Sequence, residues 1–264
     1  MYFKTYCSYL YSEPNLLMRF YIGIDDTDNL ESRGTGFRCR ELAALLIAKG
    51  LGDVIGISRH QLLFDKQIPY TSHNSSGCIE IETENISKVT DISRQYLIEN
   101  GAEGSDVGLC IVEAEKISTD VIQWGLNAKK EILTKPDAVN LAKQNNILLE
   151  GLTGTQDGII GALAAVGLRK SGNDGRYVWV KGKELRELTE TVFTIEALKK
   201  ITLLESVINL QGDTISDNEK IYTGDWYRPV LKNNQITIFA EAINGKTDYE
   251  WSVLSKEHIK RISD

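Results

Sequence analysis

The chain has 264 residues, of which 42% are hydrophobic and 25% are charged. This composition is typical of a globular protein and excludes the collagen-like, coiled-coil and disordered classes. Thirty basic residues against 37 acidic ones give a net charge of −7. General nucleic-acid binding is therefore disfavoured, while a local basic groove remains compatible with the sequence.

Strands and helices alternate through most of the chain, as the apolar periodicity shows. Strands are predicted over 19–24, 53–58, 77–83, 107–114 and 177–180. Helices are predicted over 37–49, 85–99, 119–132, 136–144 and 183–201, and a glycine-rich turn runs into an apolar helix within 153–168. This order predicts an α/β fold with a mixed sheet and flanking helices.

The last fifty residues have a different pattern. Residues 225–231 and 235–242 are strand-like, and Asn244-Gly245 signals a hairpin into 249–254. We therefore predict a small C-terminal antiparallel β module. The expected organisation is an N-terminal extension over 1–17, with Met18 as an alternative start, a nucleotide-binding domain over 18–182 and an accessory module over 183–264.

The cysteines suggest a compartment rather than a site. Cys7, Cys39, Cys78 and Cys110 are each more than thirty residues from the next, and no CxxC pair is present. A zinc ribbon is therefore not expected, and the cysteines are interpreted as buried thiols in a reducing cytoplasm. No apolar run reaches the roughly 18 residues that span a bilayer, so no membrane partner is expected.

The sharpest chemical signal is the motif GIDDTD, in which Asp25, Asp26 and Asp28 follow the end of a strand. Ligands of α/β sheets commonly bind beyond strand ends. Three crowded carboxylates repel one another unless a cation lies among them, and hard oxygen ligands favour Mg²⁺ bridged to phosphate. The alternative is an Asx-rich turn with solvated carboxylates, which explains one or two aspartates better than three. The motif predicts a magnesium site.

Two glycine-containing loops are candidates for anion binding. In the first, Gly34 and Gly36 flank Thr35, which predicts an accessible hydroxyl beside free backbone amides. The second opens the apolar helix, where amides and the helix dipole favour phosphate, although the Lys-Ser/Thr pair of a Walker loop is missing. Close helix packing is a compatible alternative for its glycines. The phosphate-binding candidates are Gly154, Thr155, Gly158 and Gly161.

A polar loop between two predicted strands could bind the acceptor. Its donor-rich candidates are Arg59, His73, Asn74 and Ser75. Such groups suit a phosphate, a base edge or a sugar, and His73 is a candidate general base. A plain surface loop is the competing interpretation.

These segments together resemble the agmatidine synthetases, the archaeal enzymes that form 2-agmatinylcytidine in an isoleucine tRNA. Their strand and GIDDTD motif match MRFYIGIDDTD from Met18, and their RGLIGALAAIG is matched by 157–167, with Asp157 in place of the arginine. Their Gly-Cys-Thr-Thr element falls on 33–36, so their autophosphorylated threonine corresponds to Thr35, while glycines replace the cysteine and the second threonine. The resemblance extends over about 18–180.

The resemblance implies a kinase-like domain that binds ATP and Mg²⁺, with Thr35, Asp25 and Asp26 as catalytic residues. The family's zinc ribbon is not expected here, and its OB-fold is expected to be missing or much reduced. The leading hypothesis is an ATP- and Mg²⁺-dependent phosphoryl-transfer enzyme, a kinase or ligase, with a small amine, a nucleoside or RNA as acceptor. Two alternatives remain open: a tRNA-modifying enzyme that binds tRNA through a partner, and a non-catalytic nucleotide-binding regulatory protein.

Overall fold

The computed structural model describes residues 17–71 and 73–263, so the predicted N-terminal extension lies outside the described residues apart from Leu17. In this part of the chain, thirteen strands and seven helices form a mixed α/β structure, which confirms the predicted fold class. The strands are β1 (Met18–Asp25), β2 (Asp53–Gln61), β3 (Ser75–Thr83), β4 (Gly108–Glu113), β5 (Leu148–Gly151), β6 (Arg176–Val180), β7 (Lys183–Glu184), β8 (Val192–Thr194), β9 (Ser206–Ile208), β10 (Lys220–Tyr222), β11 (Val230–Lys232), β12 (Gln235–Ala242) and β13 (Trp251–Val253). The helices are α1 (Thr35–Ala48), α2 (Ile86–Asn100), α3 (Thr119–Asn127), α4 (Lys135–Gln144), α5 (Ile159–Lys170), α6 (Ile195–Thr202) and α7 (Lys256–Ser263).

Strand β1 lies at the centre of the first half of the sheet, whose order is β5-β4-β1-β3-β2-β6. All neighbouring strands in this half are antiparallel. The carboxyl end of β1 therefore lies beside the amino ends of its neighbours, and Ile24 pairs with Gly77 while Asp25 pairs with Gly108. The acidic motif therefore does not lie at the shared carboxyl edge of a parallel sheet, where ligands of α/β proteins commonly bind. Its neighbours are set instead by the antiparallel register of β1 with β3 and β4.

Side chains of β1 alternate between two helical layers, as the pleat of a strand requires. Ile22 and Ile24 pack in one core with α1 and α2, whereas Tyr21 belongs to the opposite core with α3 and α5. A Cβ atom on Gly23 would overlap the main-chain carbonyl of Ala162 in α5. Helix α5 therefore packs directly against β1, and the acidic turn that ends β1 is held against the start of this helix.

The C-terminal strands extend the same sheet, because β11 pairs with β6 at Val230 and Arg176. The order continues as β11-β12-β13-β10-β8, with β9 beside β12. The pairs β10–β13 and β9–β12 are parallel, so the module contains parallel pairs in addition to the antiparallel ones that the hairpin signals predict. The domain boundary near Gly182 stays a prediction.

The predicted helix over 183–201 is wrong over most of its length. The structure has the short strands β7 and β8 there, joined by a 3-10 turn, and only α6 is helical. The β-branched run TETVFT favours extended backbone, and Thr194 then caps α6 by accepting a hydrogen bond from the amide of Ala197 at 3.2 Å. Strand 225–231 shrinks to β11, and the helix predicted over 119–132 ends at Asn127.

Three of the four cysteines, Cys39, Cys78 and Cys110, are free and buried, as predicted, and Cys7 lies outside the described residues. Between Leu17 and Ser263, leaving out residue 72, no helix combines the length and the apolar character that crossing a membrane requires.

Candidate functional site

A cleft of about 340 Å³ opens where the end of β1, the start of α5 and the loop between β2 and β3 meet. It brings together most of the predicted site residues, although they come from four separate segments. Those in its lining are Asp25, Asp26, Asp28, Thr35, His73, Asn74, Ser75, Gly158 and Gly161. The other three, Arg59, Gly154 and Thr155, are not part of the lining. Two of them contact it: Arg59 Nε donates to Ser75 Oγ at 2.9 Å, and the carbonyl of Thr155 accepts from Lys135.

Asp25 and Asp26 are two carboxylates whose ionisation the cleft opposes. Burial and the negative charge of Asp26 raise the pKa of Asp25 to about 8. Burial and the charges of Asp106 and Asp28 raise the pKa of Asp26 to about 6. Asp26 also has a left-handed backbone conformation, with φ of 52°, which is uncommon for a residue with a side chain. A cation bound here would offset both the burial of these carboxylates and the repulsion by neighbouring carboxylates, the two causes that raise their pKa values.

Asp28 positions the loop that leads into α1. Its Oδ1 atom accepts hydrogen bonds from the amide and the hydroxyl of Thr35, both at 3.2 Å, and its Oδ2 atom accepts from Thr71 Oγ1 at 2.9 Å. It thereby supplies the acceptor that the N-cap residue Gly34 lacks. The Thr35 hydroxyl also accepts from Thr27 Oγ1 at 3.1 Å, and Thr35 is only 6% exposed. Thr35 thus lines the cleft, but its hydroxyl is not freely accessible, so that prediction is wrong.

The turn before α5 already binds an anion, the carboxylate of Asp106. Its Oδ1 atom accepts a hydrogen bond from the Thr155 amide at 2.5 Å, and its main-chain oxygen accepts one from the Gly158 amide at 2.9 Å. A Cβ atom on Gly154 would overlap this carboxylate, and one on Gly158 would overlap the Asp106 main chain. Close packing thus explains these glycines. Their predicted phosphate role stays a prediction, and Asp106 itself carried no sequence signal beyond being an acidic residue before a strand.

The charges that line the cleft are mostly negative. Lys135 pairs with Asp157 at 3.0 Å and also donates to the carbonyl of Thr155. The lining contains one lysine, Lys135, and five acidic side chains, those of Asp25, Asp26, Asp28, Glu131 and Asp157. An anionic ligand therefore needs accompanying cations to enter this cleft.

Aromatic rings form what we call the mouth of the cleft, where Tyr70 and His73 line it and Phe64 lies beside them. Phe64 and Tyr70 are exposed and meet edge to face, with ring centroids 5.3 Å apart, and His73 lies 6.5 Å from Phe64. Partial burial and the nearby positive charge of Arg59 lower the pKa of His73, so its imidazole is neutral at pH 7. The amide side chain of Asn74 is engaged within the loop, donating to the carbonyl of Leu63 at 2.6 Å.

The predicted magnesium triad is not a preformed three-ligand site. Among the described residues, no three His, Cys, Asp or Glu side chains are placed to hold a metal ion together. Asp28 is committed to Thr35 and Thr71, which leaves Asp25 and Asp26. Magnesium is commonly held by one or two carboxylates together with water and phosphate oxygens. The donor set therefore fits Mg²⁺ that arrives with a nucleotide.

The fold and the cleft define an α/β protein with an acidic site at the end of a central antiparallel strand. No family model matches the chain. Similar solved structures include a tRNA fluorescent labeling enzyme, at 27% identity and a TM-score of 0.51, and agmatidine synthetase (TiaS) in complex with an isoleucine tRNA and ATP, at 26% identity and 0.51. Apo TiaS is similar at 25% identity and 0.50. These similarities cover 57% of this chain and 35–36% of the solved chains.

A similar protein is also found among curated sequences. An uncharacterized protein of Methanocaldococcus jannaschii is 28% identical over 153 residues, which are 56% of this chain and 49% of that protein. The chain thus spans about half the length of this relative and about a third of the solved enzymes. Over the shared part, the resemblance to agmatidine synthetases that the sequence predicts is confirmed.

Proposed function

We propose that this protein is an ATP- and Mg²⁺-dependent phosphoryl-transfer enzyme related to agmatidine synthetases, and that it binds Mg-ATP in the cleft at the end of β1. One observation carries the proposal: Asp25 and Asp26 meet the glycine-rich start of α5 in a single cleft. It is supported by the similarity to an enzyme solved with tRNA and ATP.

The charge of the cleft explains why the metal and the nucleotide enter together. A triphosphate alone would meet five acidic side chains and one lysine. Asp25 and Asp26 would hold Mg²⁺, which, when bound, neutralises charge on the phosphate oxygens. Their raised pKa values would return towards the ordinary range beside the cation.

The chain's own groups supply position more than proton transfer, which is what phosphoryl transfer chiefly requires. Gly161 leaves room for the Asp25 carboxylate, and Lys135 supplies a positive charge beside the turn that precedes α5. Neutral His73 and the hydroxyl of Ser75 face the acceptor at the mouth. Thr35 positions the acceptor or receives phosphate itself, with Asp28 accepting its proton.

The acceptor is a small amine, a nucleoside or an RNA nucleotide. The acidic lining suits a cationic amine, and the exposed rings of Phe64 and Tyr70 suit a base that stacks at the mouth. Kinase and ligase chemistry differ in product, since the first releases ADP and the second can release AMP. The protein would carry out this chemistry in the cytoplasm.

Thermal unfolding with Mg-ATP tests the proposal. A ligand that binds only the folded state stabilises it by about 2.7 kcal/mol at a concentration of 100 Kd. Asp26→Asn should remove this gain, whereas Asp53→Asn, an exposed residue at the far end of β2, should retain it. Chromatography of ATP products with tRNA and with amines then distinguishes ADP from AMP. A wild-type protein that Mg-ATP fails to stabilise would refute the proposal.

A nucleotide-binding regulatory protein is the second candidate. It is favoured by the engagement of the Thr35 hydroxyl with Thr27 and Asp28, which uses this group once as an acceptor and once as a donor within the protein. Stabilisation by Mg-ATP without turnover in the presence of amines, nucleosides and RNA would select it.

A further inference from the structure

An arginine cluster, formed by Arg33, Arg40, Arg186 and Arg228, lies outside the cleft. Arg33 stacks over the ring of Phe37, with its guanidinium carbon 4.0 Å from the ring centroid, and that of Arg40 lies 6.0 Å from the same ring. Arg40 Nε and Arg186 Nε each lie 2.9 Å from one carboxylate, that of Glu184. Arg33 belongs to the loop before α1 and Arg40 to the second turn of that helix, whereas the other two belong to the C-terminal part of the chain.

The positive charge of this cluster exceeds the negative charge beside it. Two of its arginines pair with the same carboxylate, that of Glu184, in a chain whose net charge is −7. Burial, followed by the charges of Arg186 and Arg40, lowers the pKa of Arg228 to about 10. The arginines therefore repel one another in the free protein, and an anion bound between them would relieve that repulsion.

Aromatic rings are interleaved with the guanidinium groups. Phe37 is half-buried and has the guanidinium groups of Arg33 and Arg40 near its ring, and the ring centroid of Trp226 lies 5.8 Å from the guanidinium carbon of Arg228. Planar guanidiniums bind phosphates in a bidentate manner, and aromatic faces stack with unpaired bases. This combination distinguishes a nucleic-acid surface from a site for a simple anion.

The cluster is connected to the cleft on two sides. Arg33 precedes the cleft residue Thr35 by two positions. On the other side, Arg176 of β6 pairs in register with Arg59 of β2 and contributes positive potential at both Arg228 and His73. The Nη1 atom of Arg176 donates to Ser263 Oγ at 3.1 Å, which ties α7 to this surface. Helix α7 also adds to the positive potential at the mouth through its two lysines, Lys256 and Lys260.

We propose that the arginine cluster binds the phosphate backbone of a single-stranded RNA segment and directs an adjoining nucleotide into the cleft. The inference rests on the proposed function and adds to it an RNA surface that the C-terminal part of this same chain helps to form. Unpaired RNA is favoured over duplex because the rings need exposed base faces.

The test is fluorescence anisotropy of labelled single-stranded RNA, tRNA and duplex DNA, each titrated with the full chain between about 50 and 200 mM salt. The variant is Arg33→Gln/Arg186→Gln, in which both residues are exposed. The matched control is Lys49→Gln/Lys246→Gln, which removes the same charge from exposed positions outside the cluster. We expect the cluster variant to bind RNA about tenfold more weakly than the wild type. The slope of its log binding constant against log salt concentration should be smaller in magnitude by about two, while the control changes little.

Melting temperatures with and without Mg-ATP distinguish a failure of the RNA inference from a failure of the proposed function. The cluster variant should retain its stabilisation by Mg-ATP, because neither residue lines the cleft. Unchanged RNA affinity, equal losses in both double variants, or equal binding of duplex DNA would each overturn the inference and leave the proposed function intact. No RNA binding by the wild type would also overturn it. If Mg-ATP does not raise the melting temperature of the wild type, the proposed function is refuted instead.

Discussion

The carboxylate of Asp25 occupies the space in which a Cβ atom on Gly161 would lie. Two residues earlier on the same face of β1, Gly23 lies similarly close to the carbonyl of Ala162. The acidic motif and the glycine-rich helix therefore interlock at two successive points. A larger residue at either glycine would separate α5 from β1 and move the Asp25 carboxylate.

Gly161→Ala should therefore destabilise the protein, although alanine favours a helix by up to about 1 kcal/mol. We expect a net loss of roughly 1–3 kcal/mol from overpacking, together with weaker stabilisation by Mg-ATP. Gly36→Ala in α1 is the matched control, because a Cβ atom there has nothing within 4 Å. Urea unfolding should show it to be as stable as the wild type or more so. Equal stabilities for the two variants would contradict the interlocking.

Local pattern predicted the two halves of this interlock but not their fit. The crowded acidic residues of the motif predicted a site at Asp25 and Asp26, and the glycine-rich start of the apolar helix predicted a role for Gly161. Asp106 could not be found in this way, because it reaches the site only through the pairing of β1 with β4.

Long-range pairing also accounts for the other differences. The charged segment after Gly182 has helical periodicity. Its residues 192–194 nevertheless form β8, which pairs with β10, a strand that follows later in the sequence. The arginine cluster joins Arg33 to Arg186 and Arg228, which are far apart in sequence. No local pattern could have predicted that arrangement.

Asp25→Asn should make the apo protein more stable at alkaline pH. The folded pKa of Asp25, about 8, lies above the ordinary value of an aspartate, so the charged form destabilises the fold as the pH rises from about 4 to 8. The variant lacks this penalty, and we expect it to gain roughly 1–2 kcal/mol at about pH 8.5 after allowance for solvent screening.

Urea titrations of apo Asp25→Asn and the wild type at about pH 5 and 8.5 measure this difference. The gain should be larger at the higher pH, and Mg-ATP should stabilise the wild type alone. Asp53→Asn should follow the wild type at both pH values. An Asp25→Asn protein that is less stable than the wild type at the higher pH would show that the carboxylate is needed for packing rather than for a ligand.

A buried Ser-His-Asp array joins β2 to the turn that precedes β6. Ser58 Oγ and Asp174 Oδ1 are each 2.8 Å from a ring nitrogen of His60, and Lys129 pairs with Asp174. Ser58 is 1% exposed and His60 is 0% exposed, so the array is structural and no substrate reaches the serine. Burial lowers the pKa of His60 despite the carboxylate of Asp174.

His60→Gln should therefore flatten the acid dependence of stability. Because the folded pKa of His60 lies below its ordinary value, the unfolded chain takes up the proton first, and stability falls as the pH drops below about 6.5. We expect the variant to be less stable at neutral pH, by about 1–3 kcal/mol, and to lose less between about pH 7 and 5 than the wild type does. Unfolding by urea at these pH values is the measurement. An unchanged slope would remove His60 from the pH response.

Variants of Thr35 test whether this residue takes part in the reaction or only stabilises the fold. Its hydroxyl donates to Asp28 and accepts from Thr27. If Thr35 receives phosphate, Asp28 is the base that takes its proton. Intact-mass measurement after incubation with Mg-ATP should then show the added mass of one phosphate in the wild type and in Thr35→Ser. Thr35→Val should show none and should be less stable by about 1–3 kcal/mol, since it leaves both partners without their bond.

Two further variants distinguish the base from the surrounding hydrogen bonds. Asp28→Asn should lose the added phosphate yet retain stabilisation by Mg-ATP, because Asp25 and Asp26 remain. Thr71→Val removes a bond to the same carboxylate at 2.9 Å but leaves Thr35 and its partner oxygen intact, so it should still gain the phosphate. A wild-type protein that consumes ATP without ever gaining this mass would leave Thr35 a structural residue, one that caps α1 through Asp28 and lines the cleft without entering the reaction.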